Sequence, residues 1–114
     1  MLPLALVGGS KLETSGLVDS GASINVLPYG LGVQLGFDWA QETRTVELSG
    51  NLAAVEARVV VLSGVVGSFP PVRLAFAWAQ TDHIGVILGQ VNFFLEFDVC
   101  FFRSRSLFEV RPKP

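Results

Sequence analysis

The chain is poor in the residues on which most catalytic chemistry is built. It has one cysteine, Cys100, and one histidine, His83. A zinc site of the usual ligand sets needs more than that pair. A Ser/His or Cys/His machine would have to rest on His83, which lies in the polar turn Thr81-Asp82-His83 with no neighbour to support such a role. A surface histidine is expected there. There is no P-loop, and the G-x-S-x-G pattern fails because Asn25 stands where its second glycine would be. One cysteine also excludes an intrachain disulfide, which fits a reducing compartment.

Charge is scarce as well. Only 16% of the residues are charged, against about 25% in an average globular domain. The formal net charge of −2 provides no global field for nucleic acid. Basic residues gather at Arg103, Arg105, Arg111 and Lys113 but are interrupted by Ser, Leu, Phe and Glu109, which reads as a solvated turn and tail. Long apolar runs are missing too. The uncharged stretches 20–37 and 59–72 are broken by Gly, Ser and Pro, so neither reads as a membrane span of about 20 apolar residues. Residues 1–7 are apolar but contain Pro3 and no basic n-region, a poor signal peptide. The expectation is a cytoplasmic protein that engages neither membrane nor nucleic acid and needs no cofactor or metal.

Hydrophobic residues, by contrast, make up half of the 114. That length corresponds to about one domain, here residues 1–114, and so short a chain has a high surface-to-volume ratio. Either part of its apolar surface is covered by a partner, or a β-sheet core is unusually well filled. Composition alone does not separate the two.

The patterning is that of an all-β chain. Residues 2–7 form a short apolar run, Gly8-Gly9-Ser10 marks a turn, and residues 11–18 alternate loosely, so a hairpin is expected to deliver Asp19 at a strand end. The turn Ser20-Gly21-Ala22-Ser23 precedes another apolar strand, 24–27, and Pro28 can open a short helix reaching Leu35. Residues 43–48 alternate, Ser49-Gly50-Asn51 is a turn signal, and 55–62 are rich in β-branched residues; together they predict one long hairpin. Residues 63–71 read as loop, 72–79 as strand, 85–88 as a short apolar run, and 92–94 as a helical turn. A final hairpin is expected from 97–102 and 107–110, around Arg103-Ser104-Arg105-Ser106.

One constellation can carry chemistry: Leu17-Val18-Asp19-Ser20-Gly21-Ala22-Ser23. An acid at the end of an apolar strand, followed by small residues, projects into a cleft from rigid backbone. Gly21 would permit close approach of a partner loop, and the Ser20 hydroxyl could hydrogen-bond across the gap. Taken by itself, Asp-Ser-Gly is also an ordinary turn.

With a second element the segment resembles the retropepsin-like aspartic proteases, the family of retroviral proteases and their bacterial relatives. Residues 17–22 match the signature of two apolar residues followed by Asp-Thr/Ser-Gly-Ala, and Val86-Ile87-Leu88-Gly89-Gln90 matches the later apolar-apolar-Gly element. The resemblance implies a closed, barrel-like acid-protease fold with one or two short helices. It also implies a flap, with Ser49, Gly50, Asn51 and Leu52 at its tip, and a cleft wall from Ile87, Leu88 and Gly89. Asp19 would be catalytic, with Ser20, Gly21 and Ala22 supporting its loop. Such enzymes need two carboxylates sharing one proton. Asp38, Asp82 and Asp98 are followed by Trp39, His83 and Val99, so none offers a second copy of the motif, and the implied enzyme is a homodimer acting on peptide or unfolded protein. The chain departs from retroviral enzymes in a flap with one glycine, in Asn92-Phe93-Phe94 at the helix start, and in a longer continuation beyond Gly89. An inactive dimer of the same fold, serving as a binding or regulatory module, is the alternative.

Overall fold

The computed structural model describes residues 1–102 and 107–113, with side chains described for 1–99 and 108–113. The expected turn 103–106 and the side chain of Cys100 lie outside the described residues.

Strand β1 (Leu2–Val7) and strand β2 (Lys11–Val18) form the first hairpin, in a register that sets Leu6 opposite Leu12 and Val7 opposite Lys11. Along β2, Lys11, Glu13, Ser15 and Leu17 face out while Gly16 and Val18 are buried, the period-2 alternation of a strand with one covered face. Strand β3 (Asn25–Leu27) is buried throughout, because it runs between β6 (Val72–Ala79), to which it is parallel, and β7 (Val86–Leu88), to which it is antiparallel. β7 in turn runs parallel to β2, pairing Leu17 with Ile87 and Val18 with Leu88. Strand β5 (Ala57–Val65) pairs with β6 along its length and, at Ser63 to Val65, with β1. The ring β1-β2-β7-β3-β6-β5 therefore closes on itself, which removes the free edges an open sheet would expose. The short strand β4 (Thr45–Val46) hangs on the outside of β5.

The main core holds Trp78, Phe76, Phe93, Phe97, Leu27 and Leu35, all essentially inaccessible. Helix α1 (Tyr29–Gln34) starts at Pro28 as expected and lies on this core, with Gly32 flat against the Trp78 indole where a Cβ would not fit. It ends in a Schellman turn: Gly36 at φ +95° donates to Val33 O at 3.0 Å, and Phe37 donates to Gly32 O at 3.1 Å. Helix α2 (Phe93–Glu96) leads into the hairpin of β8 (Phe97–Phe102) and β9 (Leu107–Pro112). Phe97 stacks on Phe93 at 4.8 Å, and Val99, Phe108 and Val110 pack on the same core. Asp98, Glu109 and Arg111, on the opposite face, are exposed.

Two expectations need correction. The long hairpin over 43–62 is broken. β4 contributes two residues, and the connection to β5 contains a 3₁₀ turn at Gly50–Leu52. Leu48 is drawn into a smaller core with Val26, Ala57 and Ala77, and the chain beyond it satisfies its backbone locally, with Leu52, Ala53 and Val55 donating to Ser49, Gly50 and Leu52. The second concerns residues 63–71. Ser63 and Gly64 look like turn residues, yet they pair with β1 on one side and β6 on the other, so the loop begins only at Val66.

Candidate active site

Asp19 follows the last residue of β2. Its N–H donates to Leu88 O at 3.0 Å, which continues the parallel β2–β7 pairing by one step. Beyond it the chain turns on the aspartate: Ala22 N donates to its carbonyl at 3.1 Å, and Gly21 N donates to Oδ1 at 2.9 Å. Such Asx geometry is what Asp followed by small residues favours. The side chain is half-buried, and among the described residues no cation pairs with it.

The rest of the loop is pinned by the segment after β7. Gln90 N donates to Ala22 O and its side-chain amide to Ser20 O, each at 2.9 Å; Val91 N donates to Ser23 O at 2.9 Å. Gly89 lies directly behind the loop, and a Cβ there would fall 2.5 Å from Ile24 O and 2.8 Å from Ala22 O. This close approach explains a glycine after Ile87-Leu88.

Behind both segments sits Asn25, the buried polar side chain of the described residues. Its Oδ1 accepts from Gly89 N at 2.8 Å; its Nδ2 donates to Ala75 O at 3.0 Å and to Asn92 Oδ1 at 3.2 Å. Asn92 Oδ1 also accepts from Ala75 N at 2.9 Å, while its Nδ2 donates to Arg73 O at 2.8 Å. Two side-chain amides thus tie β3, β6 and the start of α2 together beneath the Asp19 loop. Sequence reasoning missed this pair. The available signal was a lone amide inside the apolar run Ile24-Asn25-Val26-Leu27, since a buried polar group must find partners.

In front of the loop opens a cavity of about 560 Å³, bordered by Gly21, Ala22 and Ser23 on one side and by Ser49, Asn51 and Leu52 on the other. The expected flap residues therefore do face the Asp19 loop, except Gly50. That residue turns outward at φ +63° with open space where a Cβ would be. Asp19 and Ser20 are beside the cavity rather than on its lining. Of the three expected wall residues, Ile87 borders the cavity, whereas Leu88 is fully buried in the main core and Gly89 braces the loop from behind. Successive strand residues point to opposite faces, so Ile87 and Leu88 could not both line a cleft. Leu17, paired with Ile87 and two residues before Asp19, shares their face and is 48% exposed. It does not border the cavity.

Among the described residues, no group of three or more His, Cys, Asp and Glu side chains is placed to hold a metal ion. His83 is exposed. Among the described residues no helix is long and apolar enough to cross a membrane.

No family model matches the sequence, and no curated protein matches it. The fold is similar to that of the crystal structure of a retropepsin-like aspartic protease from Rickettsia conorii. The TM-score is 0.60 at 22% sequence identity, over 84% of this chain and 71% of that one. The chain has a retropepsin-like fold: a closed β-barrel with, among the described residues, two short α-helices.

Proposed function

We propose that this chain is one subunit of a homodimeric aspartic endopeptidase in which Asp19 from each copy supplies one of two catalytic carboxylates. The carrying observation is that the one Asp-Ser-Gly-Ala loop is fixed at a strand end, beside a cavity whose opposite wall is the turn 49–52. One ionised Asp19 takes a proton from a bound water as general base, while its protonated counterpart polarises the scissile carbonyl. The tetrahedral intermediate collapses as a proton passes to the leaving nitrogen.

A two-fold axis beside the loop sets residue 19 opposite itself, since an isologous interface pairs identical patches. Exposed apolar side chains support an interface near this end of the molecule. Val91, 53% exposed, follows the residue that holds Ser20, and Leu95, 61% exposed, lies on α2. The substrate is an extended peptide or unfolded protein. The single domain, residues 1–114, is assigned to the cytoplasm on its lone cysteine, which suits a reducing compartment.

The 3₁₀ turn over the cavity favours the second reading, an inactive dimer that binds peptides. Its one glycine and its three local hydrogen bonds describe a less pliant flap than a glycine-rich tip. A pepstatin-type inhibitor separates the readings. Binding that is lost in Asp19→Asn supports the protease, and indifference to that substitution supports the binding module.

A further inference from the structure

The cavity beside Asp19 carries one ionisable side chain that general acid–base chemistry does not use. Its walls combine apolar side chains, Ile24, Leu52, Ile84 and Ile87 among them, with the small polar residues Ser23, Ser49 and Asn51; among the described residues the one charged side chain on the lining is that of Glu47. Glu47 is exposed, and among the described residues its carboxylate has no ion pair or side-chain hydrogen bond. Its position is nonetheless fixed. It directly follows β4, and the next residue, Leu48, is 8% exposed in the smaller core.

Apolar side chains set beside one carboxylate complement a particular kind of side chain. Lysine and arginine lay an aliphatic stem on apolar surface while the charged head reaches outward. Ile84 and Leu52 offer surface for the stem, and Glu47 offers the counter-charge. Among the described residues no lysine or arginine borders the cavity to compete. An acidic substrate side chain would face Glu47 with nothing to neutralise either charge, and the nearby Asp19 loop adds repulsion of the same sign. We infer that Glu47 gives the cleft a charge preference, favouring peptides with lysine or arginine under the 49–52 turn and disfavouring glutamate or aspartate there. This rests on the reading of the cleft as a peptide site. Because the carboxylate is solvated, the effect is modest, about fivefold between lysine and a neutral residue of similar size, as for other exposed pairs.

The test uses a matched peptide set in which each position in turn carries lysine, glutamine or glutamate, offered to the wild-type chain and to Glu47→Gln. Both kcat/KM and binding, by fluorescence anisotropy, are measured. At one position the wild type should prefer lysine over glutamate by about tenfold or more. That ratio should shrink at least fivefold in Glu47→Gln, and in wild type at about 1 M salt, where the Debye length is about 3 Å. A ratio near one in the wild type, or an equal ratio in both proteins, overturns the inference. Lysine-selective binding that depends on Glu47 without any cleavage upholds it while overturning the protease reading. Absence of both binding and cleavage for every peptide overturns the inference as well, because the cavity is then not a peptide site.

Discussion

The backbone N–H of Gly89 donates to the side-chain oxygen of Asn25 at 2.8 Å, joining the segment behind the Asp19 loop to the strand that leaves it. Asn25 is fully buried and its amide meets Ala75 and Asn92 as well. Asn25→Ala leaves the Gly89 donor and the Ala75 carbonyl without this partner, and each unsatisfied buried group costs about 1–3 kcal/mol. The expected loss is about 2–4 kcal/mol, read as a lower urea midpoint at unchanged m-value. A change below about 0.5 kcal/mol, within the range of ordinary surface substitutions, would show that the amide pair is not what holds this loop.

Gly89→Ala places a methyl group against two backbone carbonyls rather than against a flexible side chain. The Asp19 loop has to move to accept it. Peptide cleavage should fall by at least about a hundredfold, as small misplacements of catalytic groups do, even in preparations that remain folded by circular dichroism. Wild-type turnover in a folded Gly89→Ala protein would contradict the tight packing of the two segments.

The parity of β7 gives a paired prediction. Leu88→Ala empties core volume and should cost about 2–5 kcal/mol, with little change in which peptides are preferred. Ile87→Ala, at the cavity wall, should cost less stability and should shift KM and side-chain preference. Chemical denaturation and a peptide panel on the two variants check this, and the reverse pattern would put Leu88 rather than Ile87 in the cleft.

How much of this was legible in the sequence differs from element to element. The first hairpin was, because the alternation on 11–18 and the glycine-rich turn at 8–10 are local signals. Asp19 at a strand end was legible for the same reason. The faces of Ile87 and Leu88 were not, since three consecutive apolar residues carry no alternation to orient them. The flap misled because 43–48 alternates like a strand, while the deciding event, the burial of Leu48 beside Val26 and Ala77, is tertiary. Asn25 and Asn92 are 67 residues apart, and nothing local marks them as a pair.

Dimerisation should depend on exposed apolar residues near the loop. Leu95→Glu and Val91→Asp change side chains that face solvent in the single chain, so neither should disturb its fold. Each should weaken self-association by about tenfold or more in sedimentation equilibrium and lower specific activity most at low protein concentration. Unchanged association in both variants would place the interface elsewhere.

The most direct measurement of the central claim is cleavage of a peptide library by the wild-type chain and Asp19→Asn, purified side by side and assayed from acidic to neutral pH. Asparagine is nearly isosteric and can still accept from Gly21 N, so the loop should persist. The account predicts cleavage by the wild type and none above background by Asp19→Asn, with both proteins equally folded. Equal cleavage by the two proteins would contradict it.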